Sequence, residues 1–221
     1  MTTKKIDLSE WQSNVWNDPH RFVVVNCGRR AGKSTVMAYK MIDFAAKHNG
    51  SKVWYVAPTY KQAKNILWEM LMMIIPKEVV KKRNETELKI TLLNDSHIEV
   101  KGAEEPDNLR GVGIDLCIFD ECAFIKGWEF VWTVMRPVLV ESKAQCYFIS
   151  TPNGLQNHFK HLAYNEIIEG RQSRPMFNPE LHSYHHYTSY DNPFLDSKEL
   201  DSLKIEMTED AFAQEIMGEF R

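Results

Sequence analysis

Phe22-Val23-Val24-Val25-Asn26-Cys27-Gly28-Arg29-Arg30-Ala31-Gly32-Lys33-Ser34-Thr35 is an apolar run that breaks into a basic loop and opens a helix-like segment. Strand, glycine-containing loop ending in Gly-Lys-Ser, then helix is the layout of a P-loop. In such a loop the backbone N–H groups and the helix N-terminus cradle phosphates, a Lys reaches the terminal phosphates, and a hydroxyl serves Mg²⁺. The candidate phosphate-binding residues are therefore Gly28, Arg29, Arg30, Ala31, Gly32, Lys33, Ser34 and Thr35. The spacing departs from G-x-x-x-x-G-K-[ST] at one place. Counting back from Gly32-Lys33 puts the first glycine on Cys27, and Gly28 arrives one residue late.

Outward from the loop, apolar runs alternate with helical patterns. Lys52 to Ala57, Leu116 to Phe119 and Gln145 to Ser150 read as further buried strands. Leu88 to Val100 reads as a hairpin around Asn94-Asp95-Ser96. Helices are predicted over 33–47, from Thr59 to about Ile75, over 127–140 with Pro137 bending or dividing it, and over 156–168. Continuous apolar strands separated by helices argue an α/β fold with a mainly parallel sheet covered on both faces. After Gly170 the chain becomes rich in Pro, Asn, Ser, His and Tyr. A strand at 183–189 and helices at 197–205 and 209–217 are expected there. This divides the chain into a P-loop core, residues 1–170, and an appended subdomain, residues 171–221.

Composition sets outer bounds. The 221 residues are 43% hydrophobic and 26% charged, which suits an ordinary globular protein. No run approaches the roughly 18 apolar residues of a membrane span, and the first residues lack the apolar stretch of a signal peptide. A net charge of −3 excludes a generally basic nucleic-acid binder, so any such contact needs a local patch or an assembled surface. Lys81-Lys82-Arg83 is the densest basic run and reads as a solvated face near a loop. Cys27, Cys117, Cys122 and Cys146 are widely spaced and read as buried thiols. The histidines at 158, 161, 182, 185 and 186 have no partner at recognised zinc-ligand spacing.

Two further strand ends carry chemistry. Ile118-Phe119-Asp120-Glu121 places adjacent carboxylates where open α/β sheets bind ligands. Asp120 suits a Mg²⁺ ion, and Glu121 suits acceptance of a proton from attacking water. Phe148-Ile149-Ser150-Thr151-Pro152-Asn153 ends in two hydroxyls that can bond a phosphate or the water. Gln12 in Trp11-Gln12 offers both a donor and an acceptor to an adenine edge, and a stacked aromatic would help. Arg29 or Arg30 can stabilise transferred charge within the same subunit, and Arg136 is a candidate to do so in a neighbour.

Taken in order, these motifs resemble the ATPase domain of tailed-bacteriophage terminase large subunits over nearly the whole chain. Trp11-Gln12 is similar to the family's adenine element. Gly28-Arg29-Arg30-Ala31-Gly32-Lys33-Ser34 is similar to its deviant Walker A loop, and Leu109-Arg110-Gly111 with Ile118-Phe119-Asp120-Glu121 to its Walker B region. Ser150-Thr151-Pro152-Asn153 is similar to its coupling motif. Asp191-Asn192-Pro193-Phe194 and Gln214 to Phe220 resemble its linker before the nuclease.

The resemblance implies a P-loop NTPase with ATP and Mg²⁺ as cofactors. Lys33 would contact phosphates, Ser34 and Asp120 would serve the metal, and Glu121 would act as base. Arg29 is the first choice for a cis arginine and Arg30 the second, with Arg136 the trans candidate. Implied partners are double-stranded viral DNA, the portal protein, the small terminase subunit and further copies in a ring, typically a pentamer. The isolated domain is expected to be monomeric and slow. The implied location is the host cytoplasm, at the procapsid portal, with no secretion. Lys81-Lys82-Arg83, Lys101 and Arg110 are candidate pore residues. The nuclease that follows in family members is expected to be absent, because the chain stops at Arg221. Two alternatives fit the same motifs: a helicase-like translocase, and a nucleotide-binding assembly module without appreciable turnover.

Overall fold

A computed structural model describes residues 7–111, 113–140, 142–163, 167–168, 171–172 and 178–221. In chain order the first elements are α1 (Glu10–Trp16), β1 (Phe22–Cys27), α2 (Lys33–Lys47), β2 (Lys52–Ala57) and α3 (Tyr60–Ala63). A π-helical turn at Lys64–Trp68 joins α3 to α4 (Glu69–Ile74). Then come β3 (Val80–Asn84), β4 (Lys89–Leu92), β5 (His97–Gly102), β6 (Leu116–Asp120), α5 (Trp128–Val138), β7 (Gln145–Ser150) and α6 (His158–Ala163). The chain continues through β8 (Ile167–Ile168), β9 (Arg171–Gln172), β10 (His182–Tyr187), α7 (Ser197–Glu206) and α8 (Glu209–Glu215).

Eight strands form one sheet in the order β10-β1-β7-β6-β2-β5-β4-β3. From β10 to β5 every neighbour pair is parallel, and β4 and β3 add an antiparallel edge. Strand residues alternate between two cores because successive side chains point to opposite faces. Val23, Val25, Tyr55, Ile118 and Tyr147 pack under α1, α2 and the α3–α4 segment. Phe22, Val24, Trp54, Phe119 and Phe148 pack under α5 and α6. Burial on both faces is why β1 reads Phe-Val-Val-Val, with all six of its residues buried. The parallel arrangement sets the carboxyl ends of β1, β6 and β7 side by side, with β7 between the other two.

Three expectations change. The helix expected from Thr59 to Ile75 contains the π turn, with Leu67 and Trp68 buried on it. Pro137 sits in the last turn of an unbroken α5, where it forgoes one bond to the Thr133 carbonyl and only Val138 follows it in the helix. The helix expected to reach Ile168 is seen as α6 to Ala163, and Ile167–Ile168 is extended, as β-branched residues favour; residues 164–166 lie outside the described set. Lys81-Lys82-Arg83 is solvated as expected, but it stands on an edge strand, β3, that was not foreseen, and charged residues there guard an open edge.

The expected division at residue 170 runs through the sheet. β10 lies beyond it, yet it pairs with β1 from Phe22↔His182 to Cys27↔Tyr187. The segment after β10 carries a small cluster of its own, built on Leu200, Phe212 and Ile216.

Candidate functional site

The loop after β1 turns sharply. Arg30 and Gly32 have φ of 59° and 102°, and Gly32 is the N-cap of α2. This geometry leaves the first N–H groups of α2 without intrahelical partners, facing the cavity above the loop. That cavity is open, about 690 Å³, and includes Arg29, Arg30, Lys33, Ser34, Thr35 and Glu121 in its wall.

The Lys33 ammonium is buried. Its Nζ donates to the carbonyls of Gly28 at 3.1 Å and Cys27 at 3.4 Å, so it lies folded along the loop. Ser34 Oγ donates to Asp120 Oδ2 at 2.6 Å, which joins the loop to the end of β6. The Tyr55 hydroxyl donates to the same oxygen at 2.5 Å, and the Glu121 N–H donates to Asp120 Oδ1 at 2.8 Å. Burial and the Asp120 carboxylate beside it raise the Tyr55 phenol well above its usual range. Asp120 is wholly buried, and the donors it meets are two hydroxyls and an amide, all neutral. A buried carboxylate beside a serine hydroxyl is an oxygen-only donor set that fits Mg²⁺.

Glu121 has a left-handed backbone, φ 49° and ψ 41°, at the turn that ends β6. A non-glycine residue held there stores strain and marks a constrained position. Burial raises its carboxyl to about 7, Asp120 adds to the rise, and Lys33 and Arg29 oppose it. A carboxylate poised near neutrality is suited to take a proton.

The Ser150 hydroxyl at the end of β7 is fully buried and accepts from the Ala123 N–H at 3.1 Å, two residues past Glu121. Thr151 is buried beside it. Asn157 Nδ2 reaches the Ala123 carbonyl at 2.9 Å, so the 150–157 segment grips the turn that carries Glu121.

From the other side the loop is held by residues distant in sequence. The Gly28 N–H donates to the Tyr187 carbonyl at 3.0 Å, and the Arg29 N–H to the Glu215 carbonyl at 2.7 Å. Arg29 Nε pairs with Glu215 Oε2 at 3.1 Å, with the arginine side chain 71% exposed. Ser189 Oγ donates to the Arg29 carbonyl and Asn192 Nδ2 to the Arg30 carbonyl, both at 2.6 Å. Next to Glu215, the Gln214 side chain accepts from the Gly154 N–H at 3.0 Å. The end of α8 thus touches both the phosphate loop and the segment after β7.

Two expectations about side chains are modified. Trp11 is buried against Tyr187, ring centroids 5.1 Å apart, and is closed to a base. Gln12 lies beside Gly32, but its Oε1 already accepts from the Ser9 N–H at 3.1 Å. Arg136, named for a neighbouring subunit's site, stands away from this chain's own site. Its guanidinium lies 5.4 Å from the Phe22 ring centroid, at the start of β1, whereas the loop follows that strand's end. Among the candidate pore residues, Lys81 pairs with Asp95, Lys101 with Glu99 and Arg110 with Asp107. Tyr55 was not singled out by the sequence, and Asn192 and Glu215 were named only within linker-like stretches, not as contacts of the loop. Tyr55 left a weak signal, as a phenol in a largely buried strand, where such a hydroxyl usually finds a partner.

The strand order and the loop geometry define a P-loop NTPase fold. Residues 24–221 match the family described as the terminase large subunit, T4-like virus type, N-terminal part, and the chain belongs to that family. It is 31% identical over 214 residues to the terminase large subunit of Escherichia phage T5, covering 94% of this chain and 46% of that one. The chain therefore spans about half the length of this curated relative. Among solved structures it is similar to the large terminase ATPase domain of Thermus phage P74-26, with TM-score 0.79 and 23% identity over 97% and 94% of the two chains. It is also similar to the large terminase of a second thermophilic bacteriophage in complex with ATP-γ-S, with TM-score 0.75 and 18% identity over 97% and 53%.

Proposed function

We propose that this chain is the ATP-hydrolysing motor part of a terminase large subunit that drives double-stranded viral DNA into a procapsid. The observation that carries this reading is the 2.6 Å contact between Ser34 and Asp120, with Glu121 on the adjoining residue. It joins a phosphate-cradling loop to a carboxylate pair, which a pure nucleotide binder does not need. The likeness to the thermophilic-phage terminase with ATP-γ-S supports ATP as the ligand.

In this reading the loop amides and Lys33 hold the phosphates. Lys33 exchanges its two carbonyl partners for phosphate oxygens, a stronger charge-assisted pairing. Ser34 and Asp120 would hold Mg²⁺, which when bound neutralises phosphate charge. Glu121 orients the attacking water and takes its proton. Arg29 turns to the phosphates, giving up its exposed pair with Glu215, a pair of the kind worth no more than about 1 kcal/mol. Ser150 holds the turn bearing Glu121, and α8 carries changes in the loop toward the chain's end. Work on DNA takes place in a homo-oligomeric ring, a pentamer, with the portal protein and small terminase subunit as partners in the host cytoplasm. Among the described residues no helix is long and apolar enough to cross a membrane.

Phosphate release from ATP by the purified chain, with a binding titration alongside, tests the reading. Lys33→Ala is expected to weaken ATP binding by at least about tenfold and to silence turnover, through loss of a charge-assisted phosphate contact. Wild-type binding and turnover in that variant would overturn the assignment. A second expectation concerns Ser34→Ala. It removes the only link between the loop and Asp120 that is made by a loop side chain among the described residues, and the Mg²⁺ concentration giving half-maximal turnover should rise severalfold.

A further inference from the structure

His158 opens α6, directly after the 150–157 segment, and no zinc-ligand spacing accounts for it. Its Nε2 lies 2.7 Å from the Cys122 carbonyl oxygen. A carbonyl oxygen only accepts, so Nε2 carries the hydrogen and donates it. Burial lowers the imidazole pKa to about 4; the Cys122 carbonyl opposes this and His161 adds to it. The ring is therefore neutral at physiological pH, with its hydrogen on Nε2. It lies flat on Trp128, the first residue of α5, with ring centroids 4.9 Å apart and planes 8° apart. Trp128 in turn meets Phe119 of β6 edge to face at 5.2 Å. The donor is thus braced against the strand that ends in Asp120 and Glu121.

The bond lands on the residue that adjoins Glu121. A left-handed backbone at a non-glycine residue, φ 49° here, persists only where its surroundings hold it. Ser150 Oγ and Asn157 Nδ2 grip Ala123, one residue further along the turn. His158 grips Cys122 itself, and among the described residues it is the one side chain bonded to the Cys122 backbone. The Cys122 carbonyl also accepts from the Ile125 N–H at 3.2 Å. Loss of the imidazole would not orphan that oxygen, so the fold can survive a substitution that frees the turn.

We infer that His158 is a positioning residue for the catalytic carboxylate: through the Cys122 carbonyl it fixes the turn that presents Glu121 to the nucleotide cavity. The inference rests on the reading of Glu121 as the base. His158 acts through the turn and not on the nucleotide, since the cavity wall includes Glu121 but not His158. Ser150, Asn157 and His158 together make the aim of the carboxylate depend on where the segment after β7 lies.

Phosphate release, ATP titration and thermal melting of the purified chain test this. His158→Phe keeps a flat ring on Trp128 and removes the donor. Small misplacement of a catalytic group costs up to about 10²-fold in rate, so kcat should fall roughly ten- to a hundredfold. KM and ATP affinity should stay within about twofold of the wild type. Loss of one hydrogen bond should lower the melting temperature by no more than about 4 °C. His158→Gln can still donate from a side-chain amide and should recover most of kcat. In a Glu121→Gln background His158→Phe should have no further effect on turnover, because it acts only through Glu121. Wild-type kcat in His158→Phe, a parallel loss of ATP affinity, a larger fall in melting temperature, no recovery with His158→Gln, or an additive loss in the double variant would each overturn the positioning role. Wild-type turnover in Glu121→Gln alone would bring down the reading of Glu121 as the base, and this inference with it.

Discussion

Glu121→Gln is expected to lower ATP turnover by at least about 10²-fold while leaving nucleotide binding intact. A positioned general base contributes on the order of 10² to 10⁴ in rate, and the amide has the same shape but cannot accept the proton. The pH dependence adds a signature. Burial and Asp120 hold the Glu121 carboxyl at about 7. Only the ionised form is a base, so wild-type turnover should climb through neutrality and level off above it. The residual turnover of Glu121→Gln should lack that climb. Phosphate release measured from pH 5.5 to 8.5 checks both, and wild-type rates in the variant would remove Glu121 from the mechanism.

The same substitution should have the opposite effect on stability. The folded-state pKa of Glu121 is raised from 4.5 to about 7, so the native state binds the proton more tightly than the unfolded chain. Stability from this group is fully present below pH 4.5, falls as pH rises, and is lost above 7. The cost of burying the charge there is on the order of 3 kcal/mol. Gln carries no charge at any pH. Glu121→Gln should therefore match the wild type in urea unfolding near pH 4.5 and be more resistant at pH 8. Equal unfolding at both pH values would mean that the Glu121 environment does not oppose ionisation.

How far residues alone disclose this site depends on how local each contact is. β1, β2 and β7 are legible to the residue because a parallel strand buried on both faces reads as a nearly continuous apolar run. β10 is not legible as a member of that sheet. It reads His-Ser-Tyr-His-His-Tyr, and only its register along β1 makes it an edge strand. β3 was hidden for a related reason, since an exposed edge strand is written in charges and looks like a loop. Lys33, Ser34, Asp120 and Glu121 could be named from spacing because loop and acidic strand end each carry a chemical signature within a few residues. Tyr187, Asn192 and Glu215 hold the loop through contacts spanning well over a hundred residues, mostly to backbone atoms that any residue could supply. No short motif can encode those contacts.

The late glycine shows what such long-range packing does to a motif. Gly28 has ordinary backbone angles, and its need for hydrogen in place of a side chain is steric. A Cβ there would meet the Ile216 carbonyl oxygen, and would come within 2.5 Å of Ser189 Oγ and 2.7 Å of its nitrogen. Two of these three are backbone atoms and cannot swing aside. Gly28→Ala must therefore push the Ile216 segment away from the loop. The displacement strains the Gly28–Tyr187 and Arg29–Glu215 backbone bonds at 3.0 and 2.7 Å. Overpacking of this kind costs about 1–3 kcal/mol, which for a chain of this size lowers the melting temperature by roughly 2–12 °C. Because the loop itself shifts, ATP affinity should fall as well, by about tenfold or more. Cys27 sits at the place where the usual spacing puts a glycine, yet it is fully buried in the core beneath the loop. Cys27→Gly would restore the motif as written while removing a packed side chain and loosening a strand end. It should destabilise the chain by about 1–3 kcal/mol and bring no gain in nucleotide binding. If Cys27→Gly tightened ATP binding, or Gly28→Ala melted and bound like the wild type, the glycine would be a displaced motif residue and not the clearance that lets the chain's end lie against the loop.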